Sequence, residues 1–293
     1  MKNKNRKGII LAGGLATRLY PISKVVSKQL MPIYDKPMIY YPLSILMMSG
    51  IRDILIIIKP SDKNFFYELL GNGDQFGVNL NYAIQKSPDG IAQAFIIAEK
   101  FLSGHKSTLI LGDNIFYGEK FTSLLEKASK KEKGATIFSY KVKNPEYYGV
   151  IEFKKNKILS IEEKPKKPKS DYIITGLYYY DEDVVEYAKS LKPSERGELE
   201  ITDINNIYLE KNLLYSEFMN EDYLWLDTGT HDSLLEAGII ISELQNKKDL
   251  KIYSPEEIGY RKKWLSKNEL NKISNKFINT NYGKYLKKII EED

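Results

Sequence analysis

The chain has 293 residues, 42% of them hydrophobic and 28% charged, a balance that excludes disorder and collagen-like order and describes a globular body. Without cysteine there can be no disulfide, thiol nucleophile, Cys-ligated zinc or iron–sulfur cluster, and a reducing, cytoplasmic compartment is favoured. Only His105 and His231 could supply imidazole, no G-x-S-x-G elbow occurs, and the net charge of +5 is spread over scattered lysines, so three-histidine metal sites, serine hydrolases and a demand for nucleic acid all drop out.

In chain order, the basic head 1–7 and the run 8–16 mimic a signal peptide. The apolar part is only Ile9-Ile10-Leu11 before Gly13, Gly14 and Arg18 interrupt it. No stretch nears 18 apolar residues, so no membrane span is expected. Residues 8–11, 54–58, 108–111 and 135–140 read as strands, with helices at 38–49 and 90–101 between them. This alternation predicts an α/β fold, a Rossmann-like and mostly parallel sheet with helices on both faces. Residues 150–153 and 158–161, turning at Lys155-Asn156, alternate as a β-hairpin, and 173–180 adds a strand; together they predict an inserted, β-rich, sugar-sized lobe. Ser233-Leu-Leu-Glu236 fits a capping box opening a helix to Leu244, and the tail reads as helical and lysine-rich. No repeat or low-complexity linker divides the chain, which predicts a single domain over 1–293.

The sharpest chemical feature is a strand from Gly8 that runs into Gly13-Gly14 and then Thr17-Arg18. Glycines let backbone N–H groups approach an anion, and a loop at the carboxyl end of the first strand of an α/β sheet is where nucleotide phosphates bind; a plain tight turn has the same pattern. It is neither a Walker A loop nor a dinucleotide fingerprint, lacking G-K-[ST] and a third glycine. Arg18 and Lys28, in a segment punctuated by Pro21 and Pro32, bring positive charge to it. Asp113 and Asp227 each follow an apolar strand end and sit beside glycine, positions that cap turns or, as a pair, hold one Mg²⁺ with phosphate and water in its other positions. Gln85 and Gly90 suit an amide that reads a base and a close backbone approach. Tyr148-Gly149, Glu162-Glu163-Lys164-Pro165 and Arg196 to Glu200 offer groups for sugar hydroxyls and a phosphate, or form a solvated charged face. Tyr178 to Tyr180 read as strand packing and His231 as a helix-start residue.

Taken together, Leu-Ala-Gly-Gly-x-x-Thr-Arg-Leu-x-Pro (11–21), Tyr-Asp-Lys-Pro-Met-Ile-Tyr-Tyr-Pro (34–42), Ser-Pro-Asp-Gly-x-Ala-Gln-Ala (87–94), Gly-Asp-Asn (112–114), Glu-Glu-Lys-Pro (162–165) and Trp-Leu-Asp-Thr-Gly-Thr-His-Asp-Ser (225–233) closely resemble the glucose-1-phosphate thymidylyltransferases of the sugar nucleotidylyltransferase superfamily. The resemblance runs nearly end to end. It implies a homotetramer that makes dTDP-glucose and pyrophosphate from dTTP and glucose 1-phosphate, the first step of dTDP-rhamnose synthesis, with neither nucleic acid nor membrane as partner. A relative using another nucleotide or sugar phosphate, or a non-catalytic homologue, are the alternatives. Carried over, it places Leu11, Gly13, Gly14, Thr17 and Arg18 around the nucleotide and Lys28 on phosphate. Gln29 and Asp113 fall at the deoxyribose, and Gln85 and Gly90 at thymine. Gly149, Glu163 and Ile174 line the glucose, Lys164 and Arg196 hold its phosphate, and Asp113 and Asp227 carry Mg²⁺. The implied division is a nucleotide part at about 1–140 and 220–240, a sugar-phosphate part at about 141–219 and a tail at about 241–293.

Two departures stand out. Leu15-Ala16 replaces smaller residues in the phosphate loop, so the site requires Leu15 to point away from the ligand. Tyr117-Gly118 and 256–261 resemble a feedback nucleotide-sugar site between subunits, but Glu119 replaces its customary histidine.

Overall fold

Short apolar runs such as 8–12, 54–58 and 109–111 make the inner strands of one sheet, to which the chain returns repeatedly up to residue 219. The computed structural model describes residues 6–155, 157–248 and 250–292; residues 1–5 of the basic head and Asn156 of the hairpin turn lie outside the described residues. The chain begins with β1 (Arg6–Ala12), β2 (Pro32–Ile33), β3 (Lys36–Pro37), α1 (Tyr40–Met48), β4 (Asp53–Ile58), α2 (Lys63–Leu70) and β5 (Asn79–Ile84). It continues through α3 (Gln93–Ile97), α4 (Glu99–Leu102), β6 (Lys106–Leu111), β7 (Asn114–Tyr117), α5 (Phe121–Ser129), β8 (Ala135–Lys141), β9 (Gly149–Lys154), β10 (Lys157–Glu163) and β11 (Tyr172–Tyr180). It ends with α6 (Val184–Ser190), α7 (Ile201–Glu210), β12 (Leu214–Met219), β13 (Leu224–Asp227), α8 (His231–Lys248), α9 (Pro255–Arg261), α10 (Lys267–Lys276) and α11 (Asn281–Glu291).

A nine-stranded sheet runs in the order β10-β9-β11-β6-β1-β4-β5, with β8 also paired to β11 and β12 to β8. β10 and β11 run against the other strands, so the sheet is mostly parallel. Alternate residues fill the two faces. Ile10, Ile54 and Ile56 pack with Leu43, Leu46 and Phe121 on one side, and Ile9, Leu55 and Ile57 with Phe95, Ala98 and Leu102 on the other. Each such aliphatic side chain contributes about 1.5–3 kcal/mol on burial.

The predicted inserted lobe is instead an extension of this sheet. β11 is buried on both faces along nearly its whole length and pairs with β6, β8 and β9, which makes it the seam of the sheet. Its pairing with β6 begins at Leu177 opposite Ile110, whereas Ile173 pairs with Val150 and Tyr140. The start of β11 therefore stands beyond the carboxyl edge of β6 and carries the β9–β10 hairpin over that edge.

Two helix boundaries also differ from expectation. Gly90 has φ +105°, a conformation that cannot open a helix, so the helical segment starts at Gln93 and breaks at Ala98. α8 begins at His231 rather than Ser233 and runs to Lys248: Thr230 Oγ1 accepts from Ser233 N at 3.2 Å while Ser233 Oγ accepts from Thr230 N at 3.0 Å, so the reciprocal cap lies one turn earlier. The tail is helical, as α9, α10 and α11, and no described helix is long and apolar enough to cross a membrane.

Because Ile10 is wholly enclosed at the centre of β1, Ile10→Ala should lower unfolding free energy by about 2–5 kcal/mol, seen as a lower urea midpoint at unchanged slope. An unchanged midpoint would show that this strand is not the core of the sheet.

Candidate active site

The parallel strands β1, β5 and β6 end on the same side of the sheet and deliver Gly13, Gln85 and Asp113 there. Gly13 passes so close to the buried Gln85 that a Cβ would stand 2.1 Å from Gln85 Oε1. Gly14 faces open space, Thr17 is exposed, and Leu11 is half-buried opposite Leu111. Leu15 is 55% exposed and takes no part in the cavity described below, so its bulk is directed away from it. Gln29 is buried, and its Cγ would lie 2.9 Å from a Cβ on Gly112.

Lys28 is buried, and its Nζ lies 2.7 Å from Asp113 Oδ2, while Asn114 Nδ2 donates to Asp113 Oδ1 at 3.0 Å. Burial pushes the Asp113 carboxyl up, but the adjacent Lys28 ammonium outweighs it and holds the group below the usual carboxylate range. β13 pairs antiparallel with β7, setting Asp227 opposite Asn114, and Thr228 Oγ1 donates to the Asp113 carbonyl at 2.9 Å. Asp227 is thereby brought beside Asp113 and shifts the other way: burial first, and then the charge of Asp113, raise its pKa against the pull of Lys28 and Arg18. Tyr148 donates its hydroxyl to Asp227 Oδ2 at 3.4 Å, and burial together with Asp227 pushes that phenol up to about 12. The guanidinium of Arg18 lies against Gly229, where a Cβ would stand 2.8 Å from Nη2.

On the other side, the β9–β10 register pairs Gly149 with Glu163. Thr202 Oγ1 donates to Glu163 Oε2 at 2.5 Å, and Lys164, held at φ +45°, donates its backbone N–H to the Tyr148 carbonyl at 3.0 Å. A left-handed conformation costs a non-glycine residue roughly 1–2 kcal/mol. Here it turns the lysine out of the strand line beside Glu163.

A cavity of about 240 Å³ joins the two sides, bounded by Arg18, Asp113 and Asp227 together with Gly149, Glu163, Lys164 and Ile174. Asn114, Tyr148, Thr202, Tyr178 and Trp225 are among the other residues of its wall. Lys28 reaches this cavity through its ion pair with Asp113. Arg196 is not in the wall; both oxygens of Glu200 hold its Nη2 at 2.8 Å, and Glu163 Oε1 lies 3.6 Å away. Gly90 does sit at a close backbone approach, since a Cβ there would stand 2.3 Å from the carbonyl oxygen of Leu199. Asn114 and Thr202 were not legible as site residues, although Asn114 directly follows Asp113 and takes Trp225 Nε1 at 2.7 Å on its Oδ1.

Among the described residues no three or more histidine, aspartate or glutamate side chains converge as a metal cluster. The available donor set is the pair Asp113 and Asp227, which suits a magnesium ion that keeps waters and takes phosphate oxygens and is too small for an all-protein cage. In the region resembling a feedback site, Glu119 pairs with Lys248, whose ammonium lies 5.7 Å from the Tyr117 ring. Glu256 turns inward, accepting from the Tyr282 hydroxyl.

The sequence profile of the nucleotidyl transferase family matches residues 7–243. A protein of Neisseria meningitidis serogroup A named glucose-1-phosphate thymidylyltransferase is 54% identical over 98% of this chain and all of its own, and one of Mycobacterium tuberculosis with the same name is 48% identical over 98% of this chain and all of its own. A Bacillus anthracis crystal structure under that enzyme's name, with sucrose bound, superposes with a TM-score of 0.77 at 42% identity, covering 86% of this chain and 98% of that one. A UDP-glucose pyrophosphorylase with UDP-glucose shares the fold at 22% identity and a TM-score of 0.72, over 81% of this chain and 98% of that one.

The opposite shifts of the two aspartates predict opposite effects on stability in EDTA at pH 8. Asp227 has a raised folded pKa, so its ionisation opposes folding above that pKa. Asp227→Asn should raise Tm, with the gain shrinking as pH falls and wild-type Asp227 takes up its proton. Asp113 has a lowered folded pKa and stabilises above its unfolded pKa; Asp113→Asn should strand the Lys28 cation and cost about 3–5 kcal/mol. Calorimetric scans from pH 5 to 8 check both, and a Tm that falls in Asp227→Asn contradicts the crowding of the two carboxylates.

Proposed function

The chain belongs to the nucleotidyl transferase family and, within it, to the glucose-1-phosphate thymidylyltransferases, and from that premise we propose how its cleft makes dTDP-glucose and pyrophosphate from dTTP and glucose 1-phosphate. The observation that carries the reading is the shared cavity, in which Arg18, Asp113 and Asp227 face Gly149, Glu163, Lys164 and Ile174. Its 240 Å³ is below the roughly 300–1,000 Å³ of pockets that enclose drug-sized ligands, which suits a hexose inside and the nucleotide along the open loop at Leu11, Gly13, Gly14 and Thr17. Gln29 is the neighbour of the deoxyribose, and Gln85, over Gly13, meets the base.

The sugar phosphate has a second pKa near 6 and is a dianion at pH 7, already nucleophilic. One of its oxygens attacks the α-phosphorus of dTTP in line, the α–β phosphoanhydride bond breaks, and pyrophosphate leaves with that electron pair. No general base is needed. The obstacle is electrostatic: two unit charges 4 Å apart repel by about 4 kcal/mol at an effective dielectric of 20. Arg18 and Lys28 offset this on the nucleotide side and Lys164 on the sugar-phosphate side, while orientation within the cavity lowers the barrier by up to roughly 7–11 kcal/mol. Glu163, steadied by Thr202, accepts from sugar hydroxyls beside Gly149 and Ile174. Asp113 and Asp227 would hold Mg²⁺, which supplies Lewis-acid charge for the phosphate oxygens when bound. Arg196 joins the sugar phosphate by giving up part of its hold on Glu200 and Glu163.

Self-association as a homotetramer has a physical basis on α8, where Leu235 and Ile239 lie one turn apart and are 67% and 50% exposed. The feedback site would then use the Tyr117 and Arg261 surfaces, with the Glu119–Lys248 pair at its rim.

A pyrophosphate-release assay with dTTP and glucose 1-phosphate should show turnover. Lys164→Ala should raise the KM for glucose 1-phosphate by roughly tenfold or more, the scale of a lost charged hydrogen bond, with the KM for dTTP within about twofold. Arg196→Ala should act in the same direction. A change confined to the KM for dTTP would place Lys164 on the wrong substrate, and turnover with UTP but not dTTP would overturn the choice of nucleotide.

A further inference from the structure

Gln85 is held by a chain of polar groups that ends on a group with no choice of polarity. Asp89 accepts from Ser87 Oγ at 2.6 Å and from Gln93 Nε2 at 2.7 Å. An ionised carboxylate carries only acceptor atoms, so Gln93 has to turn its NH₂ group toward Asp89. Its carbonyl is thereby directed the other way, where Gln93 Oε1 accepts from Gln85 Nε2 at 2.7 Å. Gln85 is left with its carbonyl Oε1 over Gly13 in the nucleotide loop. The two ends of a glutamine amide are nearly identical in shape, so packing alone cannot choose between them; the anion at the end of the chain does.

We propose that Gln93 is a positioning residue for base specificity: it passes the polarity of Asp89 on to Gln85, fixing an acceptor toward the nucleotide. The cleft then takes a pyrimidine with an N3–H donor, as in thymine or uracil, and rejects cytosine, whose N3 is itself an acceptor. Turning the Gln85 amide over to suit cytosine would set its carbonyl against the carbonyl of Gln93 and lose the 2.7 Å bond between them. This inference rests on the reading in which Gln85 meets the base, and it adds a residue that touches neither substrate.

The test measures kcat/KM with dTTP and with dCTP, together with the KM for glucose 1-phosphate and Tm, in wild type, Gln93→Met, Gln85→Leu and the double variant that joins Asp89→Asn to Gln93→Glu. Gln93→Met removes the acceptor that holds Gln85, so the dTTP-to-dCTP ratio should fall at least tenfold while the KM for glucose 1-phosphate stays within twofold. The double variant pairs a carboxylate at position 93 with an amide donor at position 89, so it keeps an acceptor toward Gln85 without setting two carboxylates against each other, and it should retain most of the ratio. If Gln85→Leu leaves the ratio unchanged, Gln85 does not read the base and the underlying reading fails. If Gln85→Leu collapses the ratio while Gln93→Met leaves it within twofold, the relay itself is overturned. An equal loss of ratio in Gln93→Met and in the double variant also overturns it.

Discussion

Two carboxylates, Asp113 and Asp227, stand beside each other at the edge of the sheet with the buried Lys28 ammonium 2.7 Å from only one of them. Burial and then the charge of Asp113 push Asp227 up, while Lys28 holds Asp113 down against its own burial, so the two pKa values move apart. A strained electrostatic arrangement of this kind is retained where a ligand completes it. On the proposed reading the completing charge would be a divalent ion together with the phosphates, for which Lys28 and Arg18 would be further cations. Much of the surrounding architecture serves to hold the pair: Asn114 fixes one oxygen of Asp113, Trp225 fixes Asn114, and Thr228 ties the two strands through the Asp113 carbonyl.

The fold assembles this arrangement from distant parts of the chain, with Arg18 and Lys28 supplied by the long connection between β1 and β2. Parallel strands bring Gly13, Gln85 and Asp113 to one edge, and β11, running the opposite way, lifts the β9–β10 hairpin over it. On the proposed reading a nucleotide along that edge would have a sugar phosphate facing it from the overhang. Repulsion between two anionic substrates then becomes a matter of placing cations between them, and the placement is made by strand register, which a folded sheet holds rigidly.

Much of this was legible in the sequence. The apolar runs gave away β1, β4, β6 and β8, and the glycine and aspartate positions at their ends marked the carboxyl edge of the sheet. Of the residues singled out by the motif strings, Arg18, Asp113, Gly149, Glu163, Lys164, Ile174 and Asp227 line one cavity. What could not be read was set by pairing rather than pattern. A run such as Ile173 to Tyr180 looks alike at the rim of a lobe and at the seam of a sheet, and only its three pairing partners decide. Gly90 reads as a close-approach glycine, but which backbone approaches it is not in the pattern: Leu199, more than a hundred residues away, occupies the space where a side chain would be. Thr202 and Gln93 act through other side chains, and nothing in a hydroxyl or an amide on a helix announces which neighbour it will orient.

The most direct test is a crystal structure with Mg²⁺, glucose 1-phosphate and a dTTP analogue blocked at the α–β bridge. The account predicts one ion about 2.0–2.1 Å from oxygens of both Asp113 and Asp227, the hexose in the cavity beside Glu163, and Lys28 Nζ turned from Asp113 toward phosphate. An ion that binds neither aspartate, or a sugar phosphate seated away from Lys164, would contradict it.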